Sequence, residues 1–175
     1  VTEAEAAQAR FEAAPRRVPK GRRLHNNAME DLFAIAAEML AGEIAYRRGD
    51  YDTAFAHLRR SVALDDALPY DEPWGWMQPT RHALGALLFE QGRVEEAEAV
   101  YREDLGLGGT LPRSQIHPDN VWAMRGLYQC LIARGAEAEA AILKRRLDVV
   151  EARADAPVRA SCFCAQAAMA GAQTS

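Results

Sequence analysis

Lysine is nearly absent. The chain has 2 lysines against 19 arginines, and 21 basic against 25 acidic residues leave a net charge of −4. That balance offers no broad basic field to nucleic acid or to an acidic membrane surface. The arginine excess reads as the codon usage of a high-GC, bacterial-like genome. Cysteine is scarce as well: Cys130, Cys162 and Cys164 are too few and too unevenly placed for a disulfide framework. A reducing, cytoplasmic setting is therefore expected. No run approaches the roughly 18 unbroken apolar residues of a membrane span, and no charged start leads into the apolar stretch of a signal peptide. The chain begins at Val1 rather than Met, so it is expected to be a piece of something longer, from which a targeting segment could be missing.

Catalytic patterns are lacking too. The four serines (Ser61, Ser114, Ser161, Ser175) include none in a nucleophile elbow. Gly106-Leu107-Gly108-Gly109-Thr110 is glycine-rich, but a helix precedes it and Pro112 follows, whereas a phosphate loop needs a strand before and a helix after. His25, His57, His82 and His117 are dispersed; each is expected to be a neutral surface imidazole, and His117-Pro118-Asp119 reads as a loop and helix cap. The expectation is no enzyme and no cofactor.

What the chain does have is alanine, 35 of 175 residues, with 49% hydrophobic residues and only 7% aromatic. Alanine is the best helix former, and this much apolar material builds one real core. Residues 2–14 are helix-prone until Pro15 and Pro19. The basic run Arg16, Arg17, Lys20, Arg22, Arg23 lacks interleaved aromatics and reads as a solvated linker. Asn26 or Asn27 is expected to cap a helix reaching about Arg48, with Leu32, Ile35, Ala36, Met39, Leu40 and Ile44 at helical spacing. A second helix follows Gly49-Asp50 and buries Tyr51, Ala54, Phe55, Leu58 and Val62. Further helices are expected from near Thr80 to Gly92, from Val94 to about Leu107, from Val121, capped by Asp119 or Asn120, to Gly135, and from Ala136 to about Ala154. The segments around Trp74 and Trp76 and around Pro112 are loops.

The three corner glycines, Gly49, Gly92 and Gly135, stand 43 residues apart in each case. A fixed period of this size marks a repeat array, in which each hairpin buries its apolar face on its neighbours. Gly42…Gly49-Asp50-Tyr51…Ala54…Leu58 and Leu84-Gly85…Leu88…Gly92…Ala97…Tyr101 resemble tetratricopeptide repeats. The resemblance covers about Ile35 to Ala154. The family unit is about 34 residues, and the extra residues here fall in the two long loops. The third unit departs from the pattern, with Tyr128 in place of the small residue and Lys144 in place of Leu58 and Tyr101. The resemblance implies an all-α, right-handed α-α superhelix (a solenoid) of about three hairpins, with an N-terminal helix and an irregular C-terminal tail. Its expected divisions are an N-terminal helix and basic linker over 1–26, the repeat domain over 27–155 and the tail over 156–175.

The resemblance also implies a scaffold role: a protein or peptide partner held in a concave groove lined by the first helix of each hairpin. Onto this chain it places Met39, Glu43, Tyr46 and Arg47 in the first hairpin, and His82, Ala86, Phe89 and Glu90 in the second. The third contributes Trp122, Arg125, Gln129, Ile132 and Ala133. The i, i+4, i+7, i+8 spacing puts each set on one helical side. Aromatic surface, arginines and glutamates there suit a peptide. Trp74 and Trp76 either fold back to fill the gap between the first two hairpins or form a lip over the groove. Two rival readings are kept: a binder of a small molecule or a metal ion, and an accessory domain of a larger enzyme. Cys162-Phe163-Cys164 could supply two soft-metal ligands, against the plainer expectation of oxidised or buried thiols. Homo-oligomerisation is left open.

Overall fold

A computed structural model describes residues 1–165. Seven helices carry the described residues, and the only strands are a two-residue pair. They are α1 (Thr2–Ala13), α2 (Met29–Arg47), α3 (Tyr51–Asp66), α4 (Thr80–Glu90), α5 (Val94–Asp104), α6 (Val121–Ala133) and α7 (Glu137–Glu151). The chain divides into two compact units, Val1–Thr80 and Arg81–Ser175. Residues 166–175, half of the expected tail, lie outside the described residues.

Each hairpin turns through the same backbone device. In the first, Gly49 N donates to Tyr46 O and Asp50 N to Ala45 O. In the second, Gly92 N donates to Phe89 O and Arg93 N to Leu88 O; in the third, Gly135 N donates to Ile132 O and Ala136 N to Leu131 O. These are Schellman closures, which need the residue after the cap in the left-handed region. The three glycines have φ of +83°, +72° and +74°, with open space where a Cβ would lie. Gly92→Ala is therefore expected to cost about 1 kcal/mol, all of it conformational. A urea midpoint unchanged by this substitution would contradict the closure.

In unit 1, α2 and α3 pack along their length, and α1 rests on α2 with Phe11 edge-on to Phe33 at 6.1 Å. Leu32, Ile35, Met39 and Ile44 are buried as their spacing predicts, together with Ala54, Phe55 and Leu58. Tyr51 is not: it is exposed, its ring edge-on to Tyr46. Asp50 caps α3 by accepting from Thr53 N. Asn26 and Asn27 do not cap α2, whose N-cap is Ala28. Asn27 lies instead in a minimal hairpin, β1 (Arg23–Leu24) against β2 (Asn27–Ala28), and its buried amide donates to Asp71 at 3.1 Å. The same Asp71 oxygen accepts from Asn26 N, and its other oxygen from Glu72 N. A buried carboxylate needs such donors, and supplying them takes the asparagines away from the helix end. This anchor folds the 67–79 loop back onto unit 1, where Trp76 packs against the Leu32, Ile35 and Leu68 cluster.

In unit 2, α5 packs on α6 and α6 on α7. Asn120 caps α6, accepting from Trp122 N and Ala123 N. Tyr101 of α5 is the central side chain. A Cβ on Gly85 of α4 would lie 2.5 Å from its ring, and one on Gly126 of α6 only 2.2 Å from it. The ring is thus clasped between two bare helix surfaces. Gly126 stands two places before Tyr128, the residue in repeat phase with Gly85, so the repeat pattern does not point to it. In the third hairpin Ala140, Leu143 and Leu147 carry the packing of α7, while Lys144 turns outward to Asp148.

Candidate functional site

The expected groove residues fall in two units, and each set is taken on its own. In unit 1, Met39 and Tyr46 are interior rather than groove-lining. The Tyr46 ring centroid lies 5.1 Å from that of Tyr51 and 6.1 Å from that of Phe55. Arg47 is exposed, with its guanidinium 5.3 Å from the Tyr46 ring centroid. Glu43 is half-buried, and burial raises its carboxyl above the usual range while Arg47 pulls it partly back.

In unit 2, α4 and α6 behave differently. On α4, His82 and Ala86 are buried and Phe89 and Glu90 half-buried. On α6, Trp122 and Ile132 remain 44% and 51% exposed. Arg125 turns toward α7, paired with Glu151 and lying over the Tyr128 ring, so its guanidinium is already engaged with a carboxylate. Gln129 donates from Nε2 to the main-chain oxygen of Arg159 at 3.2 Å.

His82 departs most from expectation. Rather than lying at the surface, it is inside unit 2 with Nε2 3.0 Å from Oδ2 of Asp104, and Asp104 is itself fully buried. The other Asp104 oxygen meets Nδ1 of His117 at 2.8 Å, and His117 N donates to the Asp104 main-chain oxygen. One carboxylate thus ties α4, α5 and the loop before α6 together. Burial pushes the Asp104 carboxyl up, but the hydrogen bonds from His117 and His82, and their charge, bring it down to about 2. Asp104 had a local signal that went unread. An acidic residue closing a helix opposes the helix dipole and needs a partner from elsewhere. On the same helix, Glu98 accepts from Arg102 and Arg134, which hold it below the usual carboxylate range against its burial.

Above the clasped tyrosine lies the segment after α7. Ser161 is buried; its hydroxyl meets the Tyr101 hydroxyl at 2.5 Å and donates to the main-chain oxygen of His82 at 3.2 Å. Burial pushes the Tyr101 phenol far above its ordinary value. Cys162 and Cys164 are joined to each other in a disulfide and so present no free thiolate pair. Among the described residues no group of three or more His, Cys, Asp or Glu is placed to hold a metal ion. Cys130 is buried, and its burial pushes the thiol up to about 12. Trp74 is partly exposed, while Trp76 belongs to the unit 1 core.

Helix pairs closed by matched glycine corners define a helical-repeat protein. Residues 80–107, which span α4, its corner and α5, match the family model of the tetratricopeptide repeat. The match covers this one hairpin, which carries a tetratricopeptide repeat. No curated protein and no solved structure matches it. Repeats of this family serve in general as protein-interaction modules rather than as catalysts. No helix among the described residues is long and apolar enough to cross a membrane.

Proposed function

We propose that the chain is an interaction scaffold that binds an extended segment of a protein partner, with no catalysis of its own. The observation that carries this reading is the side of α6 bearing Trp122, Gln129 and Ile132. Two large apolar side chains stand about half exposed there, flanking an amide that is already holding a main-chain carbonyl. A folded chain leaves tryptophan and isoleucine exposed on one side at little benefit to itself, whereas an interface uses such residues as anchors. An amide reading a main-chain oxygen suits a peptide of varied sequence. The buried polar groups support the same view. Asp104 spends both oxygens on imidazoles, and the Ser161 hydroxyl meets a phenol and a main-chain oxygen, so neither is arranged as a nucleophile and its base.

The test is Trp122→Ala with the partner recovered by affinity capture of the full chain. Loss of an anchor tryptophan is expected to weaken binding by roughly 30-fold or more, with the helical signal unchanged. Equal binding by calorimetry would move the site off α6.

A further inference from the structure

The first helices of the two hairpins in unit 2 are α4 and α6, the helices the family resemblance assigns to the partner. Tyr101 lies between them in the gap left by Gly85 and Gly126, and its hydroxyl meets that of Ser161. Something polar must cover it, because a buried phenol without a partner is costly. The chain covers it with its own residue. Ser161 meets that hydroxyl and bonds the His82 main chain of α4, while two residues earlier the Arg159 carbonyl is held by Gln129 of α6. Cys162 and Ala165 are buried alongside, and Phe163 points outward, 80% exposed. Residues 159–161 have no helical or strand structure of their own and are held by side chains of the repeats, as a bound peptide would be.

We infer that residues 159–165 are a resident ligand of the α4/α6 face of unit 2, and that an outside segment binds there only when this strap is displaced. The inference rests on the scaffold reading and deepens it. The strap also shows what the face recognises: a main-chain carbonyl read by Gln129, followed two residues later by a small hydroxyl side chain that enters between Tyr101 and the His82 carbonyl. A serine or threonine fits that position, since it both accepts and donates. A bulkier residue meets the packed ring and the helix backbone. A strap tethered to its own site is present at high effective concentration, of order millimolar for a short linker. A free peptide of the same sequence is thereby excluded unless the strap is weakened.

The experiment uses the full chain and a fluorescein-labelled peptide copying residues 157–165, titrated by fluorescence anisotropy. Wild type and Ser161→Glu are compared. The glutamate is too large and too charged for a site that is buried beside Tyr101, so it lifts the strap and leaves the face open. Ser161→Glu is expected to bind the peptide at least 10-fold more tightly than wild type. Gln129→Ala added to it should remove most of that gain. Equal affinity for wild type and Ser161→Glu, or binding by neither, overturns the inference. Helical circular dichroism and amide-exchange protection of α4 to α7 establish that the variant is folded. If it is not, Ser161→Ala replaces it: the hydroxyl is lost without added volume, and a gain of at least threefold is expected, no gain being fatal. No partner enters this titration, so its failure leaves the scaffold reading standing. Conversely, unchanged partner binding by Trp122→Ala removes that reading whatever the peptide does.

Discussion

Tyr101→Ala is expected to lower the unfolding free energy of the chain by about 3–5 kcal/mol, the range for truncating a large buried ring. The ring is among the largest fully buried side chains, and its removal does more than empty a pocket. Gly85 and Gly126 present bare backbone to it, so neither position has a side chain to fill the space. The Ser161 hydroxyl also loses one of its two partners, keeping the His82 main-chain oxygen. Urea unfolding followed by circular dichroism measures the change. A loss under 1 kcal/mol would mean that α4, α5 and α6 are not clasped around this residue. Tyr101→Phe separates the two contributions. It keeps the ring, removes the hydroxyl and should cost about 1 kcal/mol.

A comparable loss, roughly 3–5 kcal/mol, is expected of Asp104→Ala, because the carboxylate is removed while its two buried imidazole partners remain. The side chains of Asp104, His82 and His117 are 1%, 6% and 11% exposed, so water cannot replace what is lost. The acid response follows from the same group. Its folded carboxyl titrates at about 2 and its ordinary value is 3.8. Depressed in the folded state, it contributes stability that is present in full above about pH 4 and is lost as pH falls toward 2. The contribution is on the order of 2 kcal/mol. Urea midpoints at pH 6, 4 and 2 should fall less steeply for Asp104→Ala than for wild type over the last interval. Parallel curves would show that the carboxylate has no special tie to the two histidines.

These two residues mark where reading along the chain stopped succeeding. The Tyr101 position was legible, since it repeats Leu58 one period later. Its second glycine was not, because Gly126 belongs to the contact between hairpins, which follows no repeat phase within a hairpin. His82 was legible as a position on the first helix of a hairpin, yet its burial was not. Tyr46 fared the same way. Helical spacing fixes the side of the helix a residue occupies, but not whether something lies against that side. The strap itself was invisible, since nothing local ties Ser161 to a tyrosine 60 residues earlier or to a carbonyl 79 residues earlier.

By itself the sequence determined what the backbone decides over a few residues. Glycines with positive φ set the three corners, Asp50 and Asn120 set two helix starts, and apolar spacing set the helices between them. Those outcomes depend on sterics and on hydrogen bonds within one turn, so residues four apart suffice to read them. Only the tertiary structure decided that Asn27 serves Asp71 rather than a helix end, that Asp104 gathers two histidines, and that the chain's own strap covers the α4/α6 face. A buried polar group takes whichever partner the packing brings within about 3 Å, and that partner can lie anywhere along the chain.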